Sequence, residues 1–356
     1  MSDKTFAEPA LTLAPIPLAE DANGPSRKKD HIDMAFRSQV GVPQIDQRFN
    51  YEPLLAAHPS QTGAWPLFPF LGHSLRAPMW VSSMTGGTQL ARKINHHLAQ
   101  ACGEFGFGMG LGSCRSLLYS NEYFADFNVR PIMGPDVPLY ANLGIAQVEK
   151  LLVKGDVQAA EDMVDRLQAD GLIIHVNPTQ EWLQPEGDVL LRPPLDTIAD
   201  FLSQSNLKII VKEVGQGMGP ASLRALLQLP LEAIDFAASG GTNFALLELL
   251  RGDEDQREAF ECLSLVGHSA TEMVDLVNAL TAELGSARQC PQVIISGGVK
   301  NFLEGYYLTQ KLALPSVYGQ ASAFLGHARE SYESLQRYVQ SQLKGLAYAQ
   351  AFLKVK

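Results

Sequence analysis

The strongest constraint on what this chain can fold into is a repeat. Short apolar runs recur about every 25 to 60 residues from Met79 onward, each followed by a glycine-rich or polar exit and then a helix-like stretch. The runs are Met79–Met84, Gly106–Leu111, Leu139–Leu143, Leu172–Val176, Lys208–Lys212, Ala233–Ala237, Val293–Ser296 and Ser316–Tyr318. Unbroken apolar runs are the signature of parallel strands buried on both faces, and parallel neighbours need long crossovers. Amphipathic segments such as Val157–Gln168 and Pro220–Leu229 supply them. Eight such units predict an α/β fold of the closed (β/α)8 kind, a TIM barrel, rather than an open sheet. Residues 249–275 read as a longer acidic insertion before the seventh strand, and residues 1–25, rich in Pro and Ala, as a flexible N-terminal arm. The remainder, 26–356, then forms one domain.

In such a barrel the chemistry sits at the C-terminal ends of the strands. The unusual polar groups of this chain collect there. Ser82-Ser83-Met84-Thr85-Gly86-Gly87 ends the first strand, Gly112-Ser113-Cys114-Arg115 the second, and Asn142 the third. His175 and Asn177 end the fourth, Lys212-Glu213 the fifth, Ser239-Gly240-Gly241-Thr242 the sixth and Ser296-Gly297-Gly298 the seventh.

Each cluster has its own chemistry. Gly297-Gly298 before a helix lets backbone N–H groups approach a phosphate, with Gly319–Ser322 as the other half of that site. The plainer alternative is a pair of tight turns. Lys212 interrupts an apolar strand, so its ammonium needs an anionic partner. That partner is either the N1/C2=O edge of a flavin or a neighbouring carboxylate such as Glu213 or Glu181. In the segment His175-Val-Asn177-Pro-Thr-Gln180-Glu181-Trp-Leu-Gln184-Pro-Glu186-Gly-Asp188, Glu181 beside a diphosphate offers the oxygen ligands that Mg²⁺ takes. The alternative is a hydrogen-bonded loop covering the barrel. Arg27, Lys28 and His31 form a basic patch ahead of the repeat that reads either as a diphosphate clamp or as a solvated surface, and Arg115 is a further candidate anion ligand.

Composition removes some classes. With 28 basic against 38 acidic residues the formal charge is −10, which argues against nucleic-acid or anionic-membrane binding but permits a small anion in a local basic pocket. Cys102, Cys114, Cys262 and Cys290 form no CxxC pair, so neither a zinc site nor a disulfide framework is expected. No apolar run reaches the roughly 18 residues a membrane span needs, and a signal pattern is missing, so a soluble, cytoplasmic protein without membrane insertion is expected.

Taken in order, these motifs resemble the type 2, flavin-dependent isopentenyl-diphosphate isomerases. The likeness runs from Arg27 to about Leu325. It rests on Arg27-Lys-Lys-Asp-His31, Ser83-Met-Thr-Gly-Gly87, Gly112-Ser-Cys-Arg115, Ala141-Asn-Leu-Gly144 and the His175–Asp188 segment. Val211-Lys-Glu-Val-Gly215, Ser239-Gly-Gly-Thr242 and Ser296-Gly-Gly298 complete the series. The resemblance implies interconversion of isopentenyl and dimethylallyl diphosphate by a barrel carrying FMN, which NADPH reduces and which handles the proton, with Mg²⁺ on the diphosphate and a homo-oligomeric (tetrameric or octameric) assembly. By motif position it implies that Ser83, Met84, Thr85, Ser113, Asn142, Lys212, Ser239, Thr242, Gly297, Gly298, Ala321 and Ser322 bind FMN. Arg27, Lys28, His31, Ser113, Arg115, His175, Asn177 and Gln180 are implied to hold substrate, with Gln180 beside the reacting carbons and Glu181 on the metal.

The chain departs from that pattern at four places. Cys114 stands where glutamine is usual. Asp235-Phe-Ala-Ala-Ser lacks a glycine pair, and Gly267-His-Ser-Ala-Thr-Glu replaces Trp-Gly-Ile-Pro-Thr. Ser322 and Ala323 stand where a small or basic pair is usual. An FMN-dependent 2-hydroxy-acid oxidase shares the barrel but needs a His and an Arg after the sixth strand, where Ala238–Phe244 has neither. A barrel nucleotide dehydrogenase needs a nucleophilic Cys after a later strand than Cys114. A flavin-binding protein without activity is the remaining alternative.

Overall fold

The computed structural model describes residues 24–60, 66–83 and 89–356. It falls into two compact units, Met1–Gln47 and Arg48–Lys356. The described part of the first carries the helix Gly24–Met34 and a short 3₁₀ turn, Val42–Gln44.

The second unit is the barrel. Its strands are β1 (Met79–Val81), β2 (Gly108–Gly110), β3 (Leu139–Gly144), β4 (Gly171–His175), β5 (Ile209–Lys212), β6 (Ala233–Asp235), β7 (Val293–Ser296) and β8 (Ser316–Gln320). All neighbours run parallel, and β8 pairs with β1 to close the sheet. All eight predicted strands are present, β7 with the expected bounds and the others with shifted ends. β6 stops at Asp235 rather than Ala237, because Ala237 turns into the left-handed region at φ +41° and leaves the ladder. β1 likewise ends at Val81, leaving Ser82 and Ser83 beyond it, while Met84 lies outside the described residues. Residues 249–275, expected as an insertion, belong to three helices, Phe244–Arg251, Glu254–Ser264 and Ala270–Leu284.

Why these runs close into a barrel is visible in their burial. β1, β2, β3, β5, β6 and β7 are buried at every residue; Trp80, Tyr140 and Ile173 fill the interior, while Tyr318 packs outward against the helix Phe302–Lys311. Such a centre is a packed core, so ligands bind at its rim. The N-terminal rim is stoppered by the hairpin Phe68–Phe70/His73–Leu75, whose tip residue Leu71 is wholly buried and donates its N–H to Gln292 Oε1 at 2.8 Å. Among the described residues, the open rim is the C-terminal one. Outside the barrel the long helix Tyr332–Phe352 leads into Leu353–Val355, which pairs antiparallel with Phe49–Tyr51 and ties the end of the chain to the start of this unit.

Candidate functional site

Parallel register brings one polar side chain from each of five successive strands to the same rim. His175 on β4 pairs with Lys212 on β5, and Lys212 with Asp235 on β6. Asn142 on β3 and Ser296 on β7 extend the row at either end through hydrogen bonds. The Asn142 amide donates to the Leu111 carbonyl at 3.0 Å, so its oxygen faces His175 Nδ1 at 2.8 Å. Nδ1 therefore carries the imidazole proton and Nε2 is left as an acceptor. Burial first, and then the Lys212 charge, push the His175 pKa down to about 4, so the ring is neutral at physiological pH.

Lys212 has an anionic partner, and it is neither Glu213 nor Glu181. Its Nζ lies 3.8 Å from Asp235 Oδ2 and donates to the Glu213 carbonyl oxygen at 2.9 Å. The Glu213 carboxylate turns the other way and accepts the backbone N–H groups of Gly215, Gln216 and Gly217 at 2.6, 2.6 and 2.9 Å. Asp235 is fully buried, and desolvation raises its pKa against the pull of Lys212, Ser296 and the Ala237 N–H.

A cavity of about 360 Å³ opens above this row, walled by the exits of β5 to β8 together with Ser82 and Ser83 from β1. Two features mark it as a ligand site. The hydroxyls of Ser82 and Ser83 are buried and have no hydrogen-bond partner among the described residues. A buried polar group left unmatched costs about 1–3 kcal/mol, so these hydroxyls await a ligand or water. The second feature is a wall made of backbone. Gly297 and Gly298 sit at φ +86° and +73°, facing Gly240 and Gly241 from the β6 exit. A Cβ on Gly297 would collide with the Ala238 backbone, and one on Gly241 would lie 3.1 Å from the Gly298 nitrogen. Only glycine allows the two loops to meet so closely. Thr242, Ala321 and Ser322 complete this side, with Ala321 just ahead of the helix Ser322–Glu330.

On the opposite side of the rim, the β4 exit forms a network of long side chains. The Asn177 amide donates to Gln180 Oε1 at 3.1 Å and Glu181 Oε1 at 2.9 Å, while Glu181 Oε2 accepts the Asp188 N–H at 2.7 Å. Asp188 in turn receives Gln147, Lys150 and Arg115, at 3.0, 2.5 and 3.4 Å, which fastens the loop to the β3 crossover helix Ile145–Lys154. Gln180 donates to Glu248 Oε1 at 2.9 Å, and Glu248 also holds Arg251, whose other arm reaches Glu186.

The structure thus gathers Ser83, Lys212, Thr242, Gly297, Gly298, Ala321 and Ser322 on one cavity and links Asn142, His175, Asn177, Gln180, Glu181 and Arg115 beside it. Ser113 is exposed on the β2 exit. Ser239 does not line the cavity; its hydroxyl donates to the Gln216 carbonyl, and its backbone bridges to Ser269. Met84 and Thr85 lie outside the described residues. Arg27, Lys28 and His31 are exposed on the helix Gly24–Met34 of the first unit. Cys114 is buried with its thiol pushed up to about 12 by desolvation, which disqualifies it as a nucleophile. Sequence alone does not mark Asp235 or Glu248 as site residues. The signal for Asp235 was the charge within an apolar run opposite Lys212. Glu248, one acid on an amphipathic helix, carries no such signal.

This is a (β/α)8 barrel whose C-terminal rim joins a backbone cradle suited to phosphate to a carboxylate- and amide-rich loop. Solved structures with the same architecture include a mandelate oxidase (TM-score 0.53, 11% identity, 87% of this chain and 89% of that one) and a flavocytochrome b2 (TM-score 0.55, 12% identity, 85% and 72%). At that identity they speak to the fold alone. No protein-family model matches the chain. Sequence relatives settle the family. The isopentenyl-diphosphate delta-isomerase of a Synechococcus strain is 33% identical over 332 residues, covering 91% of this chain and 90% of its own length. That of Rickettsia felis is 32% identical over 321 residues, 88% of each. The chain belongs to the isopentenyl-diphosphate delta-isomerase family.

Proposed function

We propose that this protein interconverts isopentenyl and dimethylallyl diphosphate with the help of bound, reduced FMN, drawing on NADPH as reductant and Mg²⁺ at the diphosphate. One observation carries the reading. The cavity with orphaned Ser82 and Ser83 hydroxyls and a glycine-built wall opens at the same rim as the His175–Asp188 loop, in a chain of this family.

The residues fit a flavin nucleotide. Gly297, Gly298, Gly240 and Gly241 would receive its phosphate through backbone N–H groups, with Thr242 and Ser322 alongside. Ser82 and Ser83 would gain the partners they lack, and Lys212 would face the ring edge that becomes negative on reduction. The reduced cofactor supplies the proton donor and acceptor for the alkene. What the chain supplies is position and field. His175, neutral and with Nε2 free to accept, suits a hydrogen bond from a partly protonated diphosphate or its water, and would not compete for the alkene proton. Gln180, fixed between Asn177 and Glu248, presents an amide of set orientation. Arg115 and Lys150, now paired with Asp188, stand ready to exchange it for a diphosphate oxygen. Arg27, Lys28 and His31 join the substrate residues on the strength of their motif.

Magnesium fits the donor set as well. Glu181 offers one carboxylate, and an ion held there would complete its shell with diphosphate oxygens and water, as Mg²⁺ does. An oxidase reading finds no His–Arg pair in Ala238–Phe244.

Anaerobic turnover of isopentenyl diphosphate, with and without NADPH and with Mg²⁺ titrated, tests the proposal. Activity should require reductant, and Glu181→Gln should retain FMN while turnover falls by roughly a hundredfold or more, on the scale of losing an essential metal ligand or acid–base group. Tight FMN without turnover under any reductant would sink it.

A further inference from the structure

We infer that Asp235, held by Ser296, is a positioning residue that sets the electrostatic potential Lys212 projects into the cavity. The inference rests on the FMN reading above and deepens it. Four observations support it. Strand register places Asp235 directly beside Lys212, and no part of Asp235 reaches solvent. At 3.8 Å the contact is an ion pair longer than a hydrogen bond, so the carboxylate offsets the ammonium's charge without occupying its donors, of which one goes to the Glu213 carbonyl. Asp235 Oδ2 has no hydrogen-bond partner among the described residues, whereas Oδ1 receives the Ser296 hydroxyl. Ser296 in turn accepts the Ala237 N–H at 2.9 Å, so the carboxylate is anchored to the very turn that builds the cavity wall.

The groups facing Lys212 give the local charge a definite sign. On β4 is neutral His175, on β6 the Asp235 carboxylate, and just past the end of its own strand Glu213 offers a carbonyl while its carboxylate is bound in a backbone nest. Lys212 and Asp235 together carry no net charge. A ligand edge therefore meets N–H donors without the full attraction of an isolated cation. Removing the carboxylate leaves that cation uncompensated in a low-dielectric site, and it then favours whichever ligand state is more negative.

The test compares the affinities of oxidised and reduced FMN, or equivalently the midpoint potential of the bound flavin, in the full-length protein. Asp235→Asn should favour the reduced form by about tenfold, roughly +30 mV for a two-electron couple. Lys212→Met should shift the ratio the opposite way. Ser296→Ala, which loosens the carboxylate without removing it, should move it in the Asp235→Asn direction by less, and supplies the answer if Asp235→Asn does not fold. An unchanged potential in both folded carboxylate-side variants, or a shift in the Lys212→Met direction, overturns the inference. Wild-type protein that binds FMN and isomerises while these variants show no shift would defeat this inference alone; failure of the wild type to bind FMN would defeat the underlying reading.

Discussion

The β6–β8 side of the rim and the β3–β4 side solve the same problem with different materials. On the first, much of the wall is backbone and small side chains, four glycines from two loops in contact together with Thr242, Ala321 and Ser322, although Phe244, Val299, Lys300 and Gln320 also line it. Their position is dictated by the barrel itself, and the neighbouring Ser82 and Ser83 hydroxyls have no hydrogen-bond partner among the described residues. On the second, the facing groups are long side chains already bonded to one another, from Asn177 through Glu181 to Asp188 and from Gln180 through Glu248 to Arg251. A prebuilt cradle suits a resident cofactor, which should bind with little rearrangement. A satisfied network suits a substrate that comes and goes, since its cations and amides keep partners between turnovers. The contrast predicts that damage on the first side is structural and all-or-none, and on the second graded and mostly catalytic.

The largest effect should come from Gly297→Ala. Its φ of +86° and the collision of the new Cβ with the Ala238 backbone leave no room for adjustment. A loss of about 4 kcal/mol or more is expected, together with FMN binding, measured by denaturant unfolding and flavin fluorescence. A folded, FMN-replete Gly297→Ala protein would break the comparison.

Next in size is a pH effect centred on His175. Its folded pKa is depressed from 6.5 to about 4, so between those values the unfolded chain takes up a proton that the folded one refuses. Stability must then fall as pH falls through that window, by at most about 3 kcal/mol from this residue. His175→Asn keeps a polar group for Asn142 and should flatten that part of the pH–stability curve. An unchanged slope would mean that the ring is not held neutral.

Graded behaviour on the β4 side is tested by Glu248→Ala. It strips Gln180 and Arg251 of their acceptor, and a stability cost of about 1–2 kcal/mol is expected. Turnover should fall through kcat with FMN affinity unchanged. Equal loss of FMN would merge the two sides into one structural unit.

Much of this was legible in the chain, for reasons that differ by side. The eight strands declare themselves because both faces of each are buried, so β-branched and other apolar residues run unbroken, and Gly297-Gly298 stands out because a left-handed turn admits little else. Lys212 is conspicuous as a charge in an apolar strand, but sequence proximity offers only Glu213 or Glu181 as a carboxylate alternative to a flavin edge, because it says nothing about the neighbouring strand. Register across β5 and β6 makes Asp235 the partner. Glu248 was invisible for the same reason: only the fold brings a helix after β6 against the loop after β4. Strand ends were misplaced where a single backbone torsion decides them, as at Ala237.

That torsion gives the smallest prediction and the sharpest probe of how rigid the cradle must be. Ala237 holds φ +41° between two restraints, its N–H donated to Ser296 Oγ at 2.9 Å and its carbonyl accepting the Gly217 N–H at 3.1 Å. An L-residue in the left-handed region costs about 1–2 kcal/mol. Glycine would remove that strain but release extra chain entropy in the unfolded state, worth about 0.4–1 kcal/mol. Ala237→Gly should therefore stabilise the protein by only about 0.5 kcal/mol, read as a small rise in the denaturant midpoint at unchanged slope. The more telling quantity is FMN affinity. If the cradle's geometry is fixed by the barrel and by the Ser296 hydrogen bond, the affinity stays as it was. A weakened affinity in a more stable protein would show that the alanine's restricted torsion is itself part of what holds the β6 exit in register with Gly297.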